Sequence, residues 1–158
     1  MVDTMTTPDG FHPDFSHQAP PAATPGRNRV RHVKAGELDS GTAQSEGMQR
    51  FAALSGQSVG TEKLWMGETI AAPNTVSASH HHGESETAIY IRSGHPEFIF
   101  FDGVREVRIA TGPGDYVFVP PYLPHREENP DPTTPAELVI ARSTQEAIVV
   151  DLPALYAL

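Results

Sequence analysis

The segment Ser79-His80-His81-His82-Gly83-Glu84-Ser85-Glu86 concentrates three imidazoles and two carboxylates in eight residues. On an extended strand, residues two apart share a face, so His80 and His82 can reach one metal ion while His81 points the other way. Val76 and Ala78 lead in on the parity of His80 and His82, which makes that face the expected interior. Glu86 lies four residues beyond His82, across a bend centred on Gly83, and offers a hard oxygen ligand. A fourth candidate, His125, ends the run Pro120-Pro121-Tyr122-Leu123-Pro124-His125. Imidazole suits Zn, Cu, Fe and Ni, and a carboxylate widens the choice toward Mn. The expected ligands are therefore His80, His82, Glu86 and His125. The expected cofactor is one divalent transition metal ion out of Fe, Mn, Ni, Cu and Zn. No residue is singled out as catalytic in its own right.

These side chains need rigid elements to hold them. Short runs rich in β-branched and aromatic residues predict strands near Arg29–Val33, Gln49–Leu54, Lys63–Ala71, Thr75–His82 and Thr87–Arg92. Further runs follow near Glu97–Phe101, Arg105–Ala110, Tyr116–Val119, Glu137–Ser143 and Ala147–Leu152. Asp102-Gly103 between two of them predicts a hairpin with a type I′ turn. About ten strands at near-regular spacing imply an all-β fold, a small antiparallel β-barrel or double-sheet jelly roll. Helix is expected only as single turns near Gln44–Gln49 and Pro153–Tyr156. Gly56-Gln57-Ser58-Val59-Gly60 matches the G-x-S-x-G nucleophile elbow, but no amphipathic helix follows Ser58, and the expectation is a plain Gly/Ser loop.

With both segments in view, the sequence resembles a single-domain cupin, one of the RmlC-like superfamily. His80, His82 and Glu86 match the ligands of the family's first motif, and Gly114, Pro120, His125 and Asn129 fall at the spacing of its second. The resemblance spans about Lys63 to Asn129. Three positions depart from the pattern: seven residues rather than six separate Glu86 from Gly94, which predicts a β-bulge; Tyr122 and Asn74 stand where the family has glycine. The first departure leaves Glu84 as a rival carboxylate.

The resemblance implies a metal-dependent small-molecule protein, since the family includes dioxygenases, isomerases, lyases and non-enzymatic binders. Three imidazoles and one carboxylate can fill four octahedral positions and leave two adjacent ones open. Such a centre suits O₂ chemistry as well as Lewis-acid chemistry. Arg92 and Arg126 are the only basic residues near the ligands in sequence. That tilts the expectation toward a dioxygenase or other oxidoreductase acting on an enolisable or uncharged organic substrate. The alternatives are a redox-neutral isomerase or lyase and a non-catalytic ligand-binding cupin. Tyr90, Arg92, Tyr116 and Trp65 are minor candidates for the pocket lining.

Composition bounds the rest. The 158 residues suit one domain. A charge of −9, which eight protonated histidines would bring only to −1, leaves no basic surface for nucleic acid. The absence of cysteine excludes disulfides, thiolate nucleophiles and thiolate metal sites. No apolar stretch approaches the roughly 18 residues of a membrane span, and no apolar leader is visible, so the expected compartment is the cytoplasm. Five of the 15 prolines lie in the first 25 residues, which predicts a disordered arm over 1–27 and a barrel domain over 28–158. Apolar residues on both parities of Phe98–Phe101 suggest a face that meets a second subunit, hence a homodimer.

Overall fold

The computed structural model describes residues 29–156; the expected arm lies outside them. From Met48 onward the chain is strand and turn apart from one short helix. The strands are β1 (Met48–Leu54), β2 (Trp65–Ala71), β3 (Thr75–Val76), β4 (His80–His81), β5 (Thr87–Ser93) and β6 (Glu97–Phe101). They continue as β7 (Glu106–Ala110), β8 (Tyr116–Val119), β9 (His125–Asn129), β10 (Ala136–Arg142) and β11 (Val150–Asp151). One antiparallel sheet runs β1-β2-β10-β5-β8, and the other runs β11-β4-β9-β6-β7 with β3 added alongside β9. This is a jelly-roll sandwich, the expected all-β class.

Strict alternation shapes the first sheet. Trp65, Gly67, Thr69 and Ala71 face inward from β2, and Ala136, Leu138, Ile140 and Arg142 do so from β10. Met48, Ile89, Ile91, Leu138 and Ile140 join Val119 of β8 and, from the other sheet, Phe98 of β6 in one apolar cluster. Full burial of Ile89 and Ile91 stabilises the fold by about 2 kcal/mol each. The residue in excess of the family spacing is absorbed where expected: Glu137 pairs with Ser93 and Leu138 with Ile91, so Arg92 bulges out of register. Asn74 and Tyr122, which replace glycines, keep the glycine backbone, with φ of 51° and 59°.

Several local expectations give way. Arg29–Val33 forms no strand. The run Thr75–His82 splits into β3 and β4, because Ser77–Ser79 leaves the extended ladder. Ala147–Leu152 contributes only the two residues of β11. The turn expected as helix at Gln44–Gln49 is a tight β-turn, with Ser45 bridged to Met48 across Gly47 at φ 72°. Pro153–Tyr156 is a series of bends. Conversely, Gly56–Val59 is a one-turn helix, α1, because Ser55 and Ser58 cap each other reciprocally. The Ser58 hydroxyl donates to the Ala53 carbonyl at 2.8 Å, a structural role rather than a nucleophile's. The β6–β7 hairpin is present, but Phe101 pairs with Glu106, so the turn has four residues, with the Asp102 carboxylate accepting from the Val104 and Arg105 N–H groups.

The doubly apolar run Phe98–Phe101 finds much of its cover within the chain. Phe98 is in the core, Ile99 pairs with Arg108 and Arg126, and the Phe101 ring meets Tyr156 at 4.4 Å. No helix among the described residues is long and apolar enough to cross a membrane.

Candidate metal centre

Cross-strand register brings the two histidine segments together: His80 on β4 pairs directly with His125 on β9. The rings of His80, His82 and His125 lie 4.5 to 5.0 Å apart between centroids. All three are buried, with 1 to 2% exposure. Each Nδ1 is pinned to a main-chain carbonyl: His80 to Ala78 at 2.8 Å, His82 to Ile148 at 2.9 Å, His125 to Leu123 at 2.9 Å. A carbonyl only accepts, so each Nδ1 carries the proton and each Nε2 presents a lone pair. Those three Nε2 atoms are buried and have no hydrogen-bond partner.

The carboxylate that joins them is Glu127. Its two oxygens lie 4.0 Å from the Nε2 atoms of His80 and His125, one oxygen to each. One ligand atom from each of His80, His82, His125 and Glu127 falls within 4.8 Å of the others, the dimensions of a group able to hold a metal ion. Glu86 and Glu84 are both exposed on the far side of the Gly83 bend and lie outside this group. Glu86 instead uses its backbone N–H to bond the Ser143 hydroxyl at 3.1 Å.

Glu127 escaped the sequence reading because the residues after His125 look like a continuation of the proline-rich loop. They form β9, and alternation from His125 puts Glu127 and Asn129 on the same inward face. Asn129 ties that strand down, its amide donating to the carbonyls of Ala71, Ala72 and Thr134. Ser77 fixes it at Glu127, whose N–H donates to the Ser77 hydroxyl at 2.9 Å. His80 and His82 do face inward and His81 outward. Uninterrupted alternation is not the cause, since Val76 is exposed and Ser77 buried; the break at Ser77–Ser79 resets the parity.

Burial pushes His82 down to about 2, with the Arg142 guanidinium adding to the effect, so its ring is neutral and free to donate electrons. Burial likewise lowers His125. For Glu127 burial alone acts upward, but His80, His125 and the fixed charge of Arg50 bring its carboxyl down to about 2, leaving an anion. A hard anion with three imidazole nitrogens is a donor set that fits a divalent transition metal.

An apolar cavity of about 250 Å³ opens against His125, with Phe98, Phe100, Val117 and Leu123 in its wall. Of the minor candidates, Trp65 is buried in the core, whereas the Tyr90 and Tyr116 rings meet at a tilt, 5.0 Å apart, on exposed positions. Arg92 points outward, bonding Glu68 at 2.6 Å. Arg126 pairs with Glu106 and Glu128 on the outer face of its sheet. The basic residues that do lie inside are Arg50 and Arg142, distant in sequence from every motif.

Residues 67–142 match the family model described as Cupin domain. No curated protein matches the chain. Among solved structures it is similar to recombinant oxalate oxidase in complex with glycolate, with TM-score 0.60 and 20% identity over 68% of this chain and 56% of that one. It is also similar to the polyketide cyclase RemF from Streptomyces resistomycificus, with TM-score 0.63 and 18% identity over 80% and 87% of the two chains. A Bacillus subtilis oxalate decarboxylase OxdC mutant gives TM-score 0.60 and 18% identity over 70% of this chain and 29% of that one. The chain thus spans little more than half of the oxalate oxidase chain, and at these identities the likeness is one of fold.

Proposed function

From the premise that this chain is a cupin-domain protein, we propose that it is a metal-dependent small-molecule enzyme, of dioxygenase or other oxidoreductase type, acting on an enolisable or uncharged organic substrate. The observation that carries the metal is the trio of buried, unpartnered Nε2 atoms, each fixed as an acceptor by a carbonyl on its Nδ1. His80, His82, His125 and Glu127 would hold the ion, which when bound supplies a Lewis acid and open coordination positions for substrate or O₂. The chain's own contribution is to hold the three rings in one tautomer, to keep Glu127 charged, and to present an apolar wall from Phe98 to Leu123 that excludes water from the substrate's body. A redox-neutral isomerase or lyase and a binding protein without turnover are the other readings the same centre supports. A homodimer in the cytoplasm completes the proposal.

Elemental analysis of protein purified without a metal column should find close to one ion per chain, and oxygen consumption over a substrate panel should depend on it. Stoichiometric metal with turnover but no oxygen uptake would transfer the protein to the redox-neutral class. Absence of any metal would remove the proposal altogether.

A further inference from the structure

Arg50 and Arg142 are 1% and 2% exposed and project from β1 and β10 into the interior. Each guanidinium is held from one side by a main-chain carbonyl, Arg50 by Ala43 at 3.1 Å and Arg142 by Ile148 at 3.3 Å. Arg142 also lies over the Trp65 ring at 5.4 Å. The Nε of each is buried and has no hydrogen-bond partner. Among the described residues neither forms a salt bridge within 4.0 Å, and the one buried carboxylate, Glu127, lies nearest to the imidazoles of His80 and His125. Two further donors are stranded on the same inner wall: the Thr69 hydroxyl, which pairs across the ladder with Arg50, and the Thr87 hydroxyl, which pairs with Arg142.

Charge makes this arrangement incomplete. Two guanidiniums against one carboxylate leave a buried excess of positive charge, and a divalent ion in the centre enlarges it. Buried charge without a counter-charge costs several kcal/mol, whereas an Arg fork facing a carboxylate offers paired, charge-assisted bonds. The wall also adjoins the centre. Ile148 carbonyl accepts from both His82 Nδ1 and Arg142, so the guanidinium and the ring share one anchor.

We propose that Arg50 and Arg142 form an anion subsite that takes the carboxylate of a small substrate of the metal centre. This deepens the enzyme reading above and replaces the expectation of an uncharged substrate, which rested on Arg92 and Arg126. Both of those lie on outer faces in ion pairs of their own.

The test separates this subsite from the metal. Full-length protein, stripped of metal with a chelator, is titrated with benzoate, benzamide and inorganic phosphate at constant ionic strength while its melting temperature is followed. Benzoate should raise the melting temperature saturably, at a concentration at least about tenfold below benzamide, the ratio expected when a charge-assisted bond is lost. Arg50→Gln and Arg142→Gln should each erase that advantage. Arg50→Lys and Arg142→Lys, which keep the charge and guard against a folding defect, should retain part of it. His80→Ala, which removes a metal ligand, should leave the benzoate response in place, so a failed metal centre and a failed anion subsite give different results. Equal responses to benzoate and benzamide, or an undiminished benzoate response in both Gln variants, would overturn the proposal. Phosphate acting at lower concentration than benzoate would overturn the assignment to a carboxylate.

Discussion

Two segments supply two ligands each to the candidate centre, and they are built in opposite ways. His125 and Glu127 sit on β9, a regular strand in which alternation aims both side chains inward. His80 and His82 straddle the end of β4, a two-residue strand entered through irregular backbone and left through Gly83 at φ 57°. In the first segment the ladder sets direction. In the second, the bonds from Nδ1 to Ala78 and Ile148 do so. A ligand can thus be placed by the sheet or by its own side-chain anchor, and only the former follows a period that can be read along the chain.

The sharpest way to break the comparison is to remove rings from each side. His80→Ala, His82→Ala and His125→Ala should each release most of the metal, while His81→Ala should keep it, as measured by elemental analysis. Retention in His125→Ala alone would make the irregular segment sufficient. Next, Glu127→Ala should weaken metal binding by at least about 10- to 100-fold in a competitive chelator titration, the scale already seen when only an outer partner of a ligand is lost. Glu86→Ala should match the wild type. A reversal of these two results would return the carboxylate to the Gly83 bend.

Asn129→Ala tests the claim that β9 is held independently of any metal. Removing an amide whose two N–H groups serve three carbonyls, that of Ala71 buried, should destabilise the apo protein by about 2 kcal/mol in urea unfolding. A loss that appears only in the metal-loaded protein would contradict it. The smallest effect is expected at the other end of the loop before β9. Tyr122 is 62% exposed and holds φ at 59°, so Tyr122→Gly should stabilise by about 1 kcal/mol, with metal content unchanged. Destabilisation there would mean that the ring, 5.8 Å from that of His81, contributes packing worth more than the strain.

The contrast also explains what the sequence made legible. Seven-residue strands such as β2 and β10 announce themselves because one face is continuously apolar or buried. The bulge at Arg92 shows as an extra residue between Glu86 and Gly94, and the histidines show as a motif. Glu127 was hidden because β9 reads His-Arg-Glu-Glu-Asn, with no apolar residue on either face to mark its period. Its strand character comes from the neighbours it pairs with in β6, and that is tertiary information. Arg50 and Arg142 were hidden for the same reason: an arginine in a strand is read as solvent-facing unless the sheet that covers it is known.

All three imidazole anchors are main-chain oxygens, those of Ala78, Leu123 and Ile148. A main-chain oxygen is present whatever residue occupies the position, so these three sites are free to drift in identity without disturbing where the ring protons sit. They are not free to drift in length. Inserting or deleting one residue between Arg142 and Val150 would slide a different carbonyl under His82 and withdraw it from Arg142 in the same stroke. Among descendants of this chain, the loop ahead of β11 should therefore vary in spelling while its residue count stays fixed.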